Sequence, residues 1–250
     1  MTHHVQLPST VIDHVVTAGS LDEALAWLAR PGTKPIAGGT DLMVELDRGQ
    51  HRELATLVDL TRIPGLDRIE RSGDTISIGP LVTHNQCVAS ELLRSVAVPL
   101  VQASWEVGSP QLRNRATIAG NIVTASPAND TLSALVALDA ELTLSSTRGE
   151  RRIAIADFHL GVRRTALEHG ELVTAISFPA LGADHRSIYL KLGLRRAQAI
   201  SVVHVAVVAR LATTGSAAGP AGVEEIRIAL GSVAPTIVRA TDAESMLVDC

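Results

Sequence analysis

Two glycine turns, Ile36-Ala37-Gly38-Gly39-Thr40-Asp41-Leu42 and Thr117-Ile118-Ala119-Gly120-Asn121, constrain this chain more than any other feature. In the first, Lys34 to Ala37 has strand character and Leu42 to Asp47 resumes helical spacing, so the glycines turn a strand into a helix start. Without a Cβ, consecutive N–H groups point outward, and the helix start adds partial positive charge. That is a phosphate cradle, to which Thr40 adds a hydroxyl; it is equally a plain strand-to-helix turn, for which two glycines suffice. No Lys-Ser/Thr follows, and the spacing is not the three-glycine dinucleotide fingerprint. The second turn adds Asn121, whose amide can donate and accept, though it too reads as an ordinary turn. Brought together, the two would grip a pyrophosphate from both sides.

Organisation along the chain supports an α+β fold. Ser20 and Glu23 form a capping box ahead of a Leu21, Leu25, Leu28 stripe, and Pro31-Gly32 stops that helix. With the Gly38 turn and a weak strand at Val58-Asp59-Leu60, residues 20–60 make a βαβ-like unit. Thr75–Ile78 alternates as a half-buried strand. Helices are expected at Thr83–Leu93, Leu100–Val107 and Thr131–Leu138. Glu141–Leu144, Arg151–Ile155 and Leu172–Phe178 are expected as strands of one antiparallel set. Pro179-Ala180-Leu181-Gly182 marks the preferred boundary. Beyond it, Ile188, Leu190, Leu192 and Leu194 alternate with Tyr189, Lys191, Gly193 and Arg195. Val202–Leu211 and Glu225–Leu230 continue a three-stranded meander covered by helices, with a hairpin loop at Thr213–Gly222.

Composition excludes several classes. The 250 residues carry a net charge of −4, without the basic stripe of a nucleic-acid binder. No apolar run reaches the ~20 residues that span a bilayer, and Met1 to Thr10 lacks a secretory pattern, so the expected location is the cytoplasm. Cys87 and Cys250 are the only cysteines, too few for an iron–sulfur cluster, which takes about four thiolates. The nine histidines show no zinc-site spacing, and no protein-bound metal is expected.

Other polar residues carry two readings each. Arg113 and Arg115 face solvent, or else an acidic partner or a phosphate. Asp130 either caps the Thr131–Leu138 helix, contributing about 1 kcal/mol, or accepts hydrogen bonds from sugar hydroxyls. Tyr189 and Lys191 share the non-leucine side of their strand: a solvated face, or a lysine beside a ligand.

Three stretches together resemble a known family: Ala37-Gly38-Gly39-Thr40-Asp41-Leu42, then Val107 to Arg115, then Thr117-Ile118-Ala119-Gly120-Asn121 on to Ser126-Pro127-Ala128-Asn129-Asp130. They look like the FAD-binding medium subunit of molybdenum hydroxylases, the family of the carbon monoxide dehydrogenase flavoprotein and the flavin domain of xanthine dehydrogenase. Tyr189-Leu190-Lys191 and Arg195 to Ser201 match too, so the likeness runs from about residue 8 to the C terminus.

The resemblance implies an FAD-binding region of two subdomains (about 1–60 and 61–179) and a smaller C-terminal domain, 180–250, shortened relative to such subunits. Pro35, Ile36, Ala37, Gly38, Gly39, Thr40, Asp41 and Leu42 would wrap the FAD pyrophosphate. Thr117, Ile118, Ala119, Gly120 and Asn121 would hold it from the other side, with Val107 in the adjoining motif. Asp130 would bind the ribose or ribityl part, and Lys191 and Val173 would lie beside the flavin. No catalytic acid or base is expected. Electrons would come from a molybdenum centre on a large subunit through [2Fe–2S] clusters on a small one, in a heterotrimer. They would leave for NAD⁺, O₂ or a quinone-linked acceptor. Ala119 stands where the family has glycine; a left-handed conformation there would cost about 1 kcal/mol. A self-sufficient FAD oxidase or dehydrogenase, and a non-redox scaffold that has lost FAD, are the alternatives.

Overall fold

A computed structural model of the chain describes residues 12–195, 197–212 and 222–248. Strands β1 (His14–Thr17), β2 (Thr33–Ile36) and β3 (Thr56–Asp59) form a parallel sheet in the order β1-β3-β2. The centre strand β3 is the most apolar, burying Leu57 and Val58. Helix α1 (Leu21–Leu28) crosses from β1 to β2 and buries Ala24, Leu25 and Leu28. The Ser20 hydroxyl accepts from the Glu23 N–H at 3.2 Å, but the Glu23 carboxylate turns to the Gly19 N–H at 2.8 Å, so the capping box is only half made. Helix α2 (Leu42–Asp47) follows the first glycine turn with the bounds its spacing predicts.

The middle region is a five-stranded antiparallel sheet with helices packed on it. Its strands are β4 (Ile69–Ser72), β5 (Thr75–Ile78), β6 (Glu141–Ser146), β7 (Gly149–Ala154) and, after the short pair β8 (His159–Gly161) and β9 (Arg164–Thr165), β10 (Leu172–Pro179). The order β4-β5-β10-β6-β7 puts β10 at the centre. Between β5 and β6 run α3 (His84–Ala89), α4 (Glu91–Val96), α5 (Val98–Glu106), α6 (Pro110–Arg113), α7 (Ile118–Thr124) and α8 (Asp130–Ala137). The single helix expected over Thr83–Leu93 is two helices. Ser90 leaves helical geometry and its hydroxyl takes the Leu93 N–H at 3.3 Å, ending α3 and capping α4. Ile76, Ile78, Leu142, Leu144, Val173 and Phe178 meet Leu93, Leu100, Leu132 and Leu135 in the main core.

The last sheet, in the order β11 (His185–Gly193), β12 (Ser201–Leu211), β13 (Val223–Gly231), β14 (Val238–Arg239), has four strands where three were expected. Most of the expected hairpin loop lies outside the described residues. Helix α9 (Thr241–Leu247) packs on β13, where the Glu244 carboxylate takes the Ile228 N–H and the Nε–H and Nη2–H of Arg239. Every residue of α8 is buried, because it packs against α5 and against β12 and β13 of this sheet. Tyr189, Ala206 and Ala229 lie in one row across the sheet and are buried, the two alanines giving a helix room to approach. Ile188, Leu190 and Leu192 are 41%, 55% and 59% exposed. Of the two readings of the Tyr189–Lys191 face, the solvated one does not hold, because both side chains are buried. Among the described residues no helix is long and apolar enough to cross a membrane.

Candidate cofactor cleft

The first glycine turn is closed by backbone contact. Gly38 packs on the segment before α7 so tightly that a Cβ would lie 2.1 Å from the Arg115 carbonyl oxygen and 3.1 Å from the Ala116 Cα. Gly39 has a left-handed φ of +71°, which side chains disfavour. The N–H groups of Gly38, Gly39 and Thr40 have no backbone partner among the described residues, so they remain donors in search of an acceptor.

The second turn is a helix start rather than a loop. Thr117 caps α7, its hydroxyl taking the Gly120 N–H at 3.0 Å. His84 N–H to Ala116 carbonyl (3.1 Å) and Ile118 N–H to Val82 carbonyl (2.9 Å) pin it beside α3. Gly120 is therefore spoken for, while the Ala119 N–H has no backbone partner among the described residues. Ala119 is not among the residues of positive φ, so the expected backbone penalty for lacking glycine does not arise.

The two turns face one cleft of about 740 Å³, a volume usual for a small-molecule or cofactor site. Pro35, Ile36, Ala37, Gly38, Gly39, Thr40, Asp41 and Leu42 line one side and Thr117, Ala119, Gly120 and Asn121 the other, with Val107 and Val173 on the walls. The Thr124 hydroxyl donates to Asp41 Oδ2 at 3.1 Å and ties α7 to the start of α2. Asn121 was read as both donor and acceptor. Its Oδ1 is taken by the Thr131 hydroxyl at 2.6 Å, and its carbonyl by Asn129 Nδ2 at 2.7 Å, which leaves its side-chain N–H groups for the cleft.

Ile118, Asp130 and Lys191 do not line the cleft. Ile118 is in the main core. Asn129, not Asp130, is the N-cap residue of α8. Asp130 is buried and saturated by protein: Lys191 Nζ and the Tyr189 hydroxyl donate to it at 2.7 Å, and the Ser201 hydroxyl at 2.9 Å. Lys191 also donates to the Glu106 carbonyl at 3.3 Å. Burial, then the Asp130 charge, pushes the Tyr189 phenol far above its usual range. This network joins α8 and the end of α5 to β11 and β12. Arg113, expected either in solvent or against an acidic partner or phosphate, is buried; it donates to the carbonyls of Trp105 (2.9 Å) and Val107 (3.1 Å) and so shapes the segment that carries Val107.

Sequence reasoning passed over two features of the lining. At one end Lys34, Glu45, His51 and Arg163 form a charged cluster: His51 Nε2 lies 2.9 Å from Glu45 Oε2 and 3.4 Å from Lys34 Nζ, and Arg163 pairs with the other Glu45 oxygen. Burial lowers the Lys34 ammonium; it acts to raise Glu45, but hydrogen bonds from His51 and Arg163 outweigh it and hold that carboxyl low. His51 carries a left-handed φ of 58°. The other feature is His84, fully buried in the inner wall, with neither ring nitrogen partnered among the described residues. Burial and the nearby Arg113 charge bring it down to about 4. A histidine after a capping threonine gives no signal of this.

A cleft of this size between two glycine turns, with bare amides on both sides, apolar wall around Val107 and Val173 and a charged cluster at one end, defines a protein built around a nucleotide-type cofactor. Comparison with known proteins makes the class specific. Residues 9–181 match the family model for the FAD binding domain in molybdopterin dehydrogenase, and 188–250 that for the CO dehydrogenase flavoprotein C-terminal domain. The chain belongs to the family of FAD-binding subunits of the molybdopterin dehydrogenases and is an oxidoreductase subunit. It is 38% identical over 191 residues to the nicotinate dehydrogenase FAD-subunit of Eubacterium barkeri, covering 74% of this chain and 64% of that one. It is 34% identical to the carbon monoxide dehydrogenase medium chain of Hydrogenophaga pseudoflava, over 91% of this chain and 77% of that one. The solved carbon monoxide dehydrogenase from that organism superposes with a TM-score of 0.87 at 32% identity, covering 96% of this chain and 82% of that chain. Quinoline 2-oxidoreductase from Pseudomonas putida 86 gives 0.85 at 26%, covering 98% and 81%.

Proposed function

We propose that this chain is the FAD-binding electron-transfer subunit of a molybdenum hydroxylase complex. One observation carries the reading: Gly38, Gly39, Thr40 and Ala119, whose N–H groups have no backbone partner among the described residues, line a single cleft from two sides. Those donors fit a diphosphate, which brings charge but no side chain of its own. The Gly38 contact fits as well, because a Cβ there would force the two sides apart. Asn121 would offer its amide N–H to the cofactor, and Val107 and Val173 would supply apolar wall. Asp130 and Lys191 would act at one remove, fixing the wall on which the cofactor rests. FAD, when bound, supplies chemistry that accepts electrons singly or in pairs, while the protein positions it and sets its surroundings.

The electrons would come from [2Fe–2S] clusters of a small partner subunit, fed by a large molybdenum subunit, and leave to NAD⁺, O₂ or a quinone-linked acceptor in the cytoplasm. The relatives' names support this partnership: carbon monoxide, xanthine and nicotinate dehydrogenases have medium chains or FAD subunits of this kind. We further propose a division into an FAD-binding domain (1–179) and a C-terminal domain (180–250), since one sheet ends at Pro179 and the next begins at His185. The test is to load the isolated chain with FAD and follow its absorbance. Reduction should require the reduced iron–sulfur subunit; rapid reduction by a small substrate without any partner contradicts the relay.

A further inference from the structure

His84 stands apart from every other polar side chain in the cleft wall. Its backbone is fixed, with its N–H on the Ala116 carbonyl, and it opens α3 behind the Thr83 cap. Its ring is sealed from solvent, yet Nδ1 and Nε2 have no hydrogen-bond partner among the described residues. Leaving one buried polar atom unsatisfied costs roughly 1–3 kcal/mol, and a phenyl or isobutyl group in the same space would cost none of it. His84 is one of the residues that surround the cleft holding the bare amides, with its ring just beneath the open surface.

We propose that His84 is a hydrogen-bonding residue for an uncharged part of the bound cofactor, a hydroxyl or a ring heteroatom rather than a phosphate. This rests on the FAD reading of the cleft and adds a residue to it. Two observations select an uncharged partner. Arg113 lies close enough to disfavour a second positive charge, and burial has the same effect, so the ring is neutral at physiological pH and presents one N–H donor and one bare nitrogen. The cleft lining also includes Val107, Leu112 and Ala116, whose side chains suit a flat or uncharged group. Phosphate is met elsewhere, by the amides of the glycine turns. In the apoprotein His84 is thus a cost that the ligand relieves.

The test uses His84→Phe, His84→Leu and His84→Gln in the full chain. Melting of each apoprotein and the FAD dissociation constant by fluorescence quenching are read together. Phe and Leu should melt at or above the wild-type temperature while binding FAD about tenfold more weakly, the equivalent of one lost hydrogen bond of about 1.4 kcal/mol. Gln, which keeps a donor and an acceptor, should stay within about threefold of wild type. In the unsubstituted protein, the ¹⁵N shifts of the His84 ring should move when FAD is added, a readout independent of the variants' folding. Unmoved ¹⁵N shifts, or a folded Phe or Leu variant with wild-type affinity, overturn the role of His84 and leave the FAD reading standing. A wild-type chain that binds no FAD overturns both.

Discussion

The Cα of Gly38 rests against the carbonyl of Arg115, which leaves no room for a β-carbon: one placed there would sit 2.1 Å from the oxygen. Gly38→Ala therefore has to push the first turn off the segment leading into α7. We expect a loss of roughly 1–3 kcal/mol or more in stability from this overpacking, together with loss of FAD retention through gel filtration. Wild-type flavin content in this variant would show that the contact does not set the cleft.

Ala119 gives the opposite expectation. It lies in helical backbone at the start of α7 with no left-handed φ, so restoring the family's glycine relieves nothing. Ala119→Gly should be neutral to about 1 kcal/mol destabilising, as for glycine in other helix positions, with FAD affinity within a few-fold. A clear gain in stability would mean that the backbone here is strained.

The Asp130–Lys191 pair is buried and shared with Tyr189 and Ser201. Removing the cation alone leaves a buried carboxylate, so Lys191→Met should cost about 3–5 kcal/mol in urea unfolding. Asp130→Asn with Lys191→Met should recover part of that, since no unpaired charge remains. A merely additive double variant would show that the two charges are not coupled.

The pH dependence follows from His84. Its folded value of about 4 lies below the 6.5 of an ordinary histidine. Between these values the unfolded chain takes up a proton that the folded chain refuses. Stability contributed by the neutral ring is complete above about pH 6.5 and is lost as pH falls toward about 4, by up to about 3 kcal/mol. His159 and His204, also lowered first by burial, act in the same direction. Comparing apoprotein unfolding at pH 7 and pH 4.5 in wild type and His84→Leu isolates the term; equal slopes would contradict it.

What the sequence disclosed depended on where the deciding contact lay. Leu42–Asp47 and Thr75–Ile78 were legible to the residue because local spacing and turn chemistry settle them. The glycine turns were legible as donors because a missing Cβ is a local fact. The alternation in β11 announced two unlike faces, but not which is covered; α8 and α5, remote in the chain, choose the Tyr189 side. The sequence left two readings open for Asp130 and Arg113 for the same reason, since their partners lie on other elements. His84 left no trace at all, because an imidazole without a partner is defined by what surrounds it.

The central claim is that the two turns hold one FAD between them, and equilibrium titration of the purified chain with FAD tests it most directly. One FAD per chain, with a structured flavin absorption band that Gly38→Ala abolishes, is the expected result. A folded chain that stays colourless at saturating FAD, or binds it equally well with Gly38 replaced, would contradict the account.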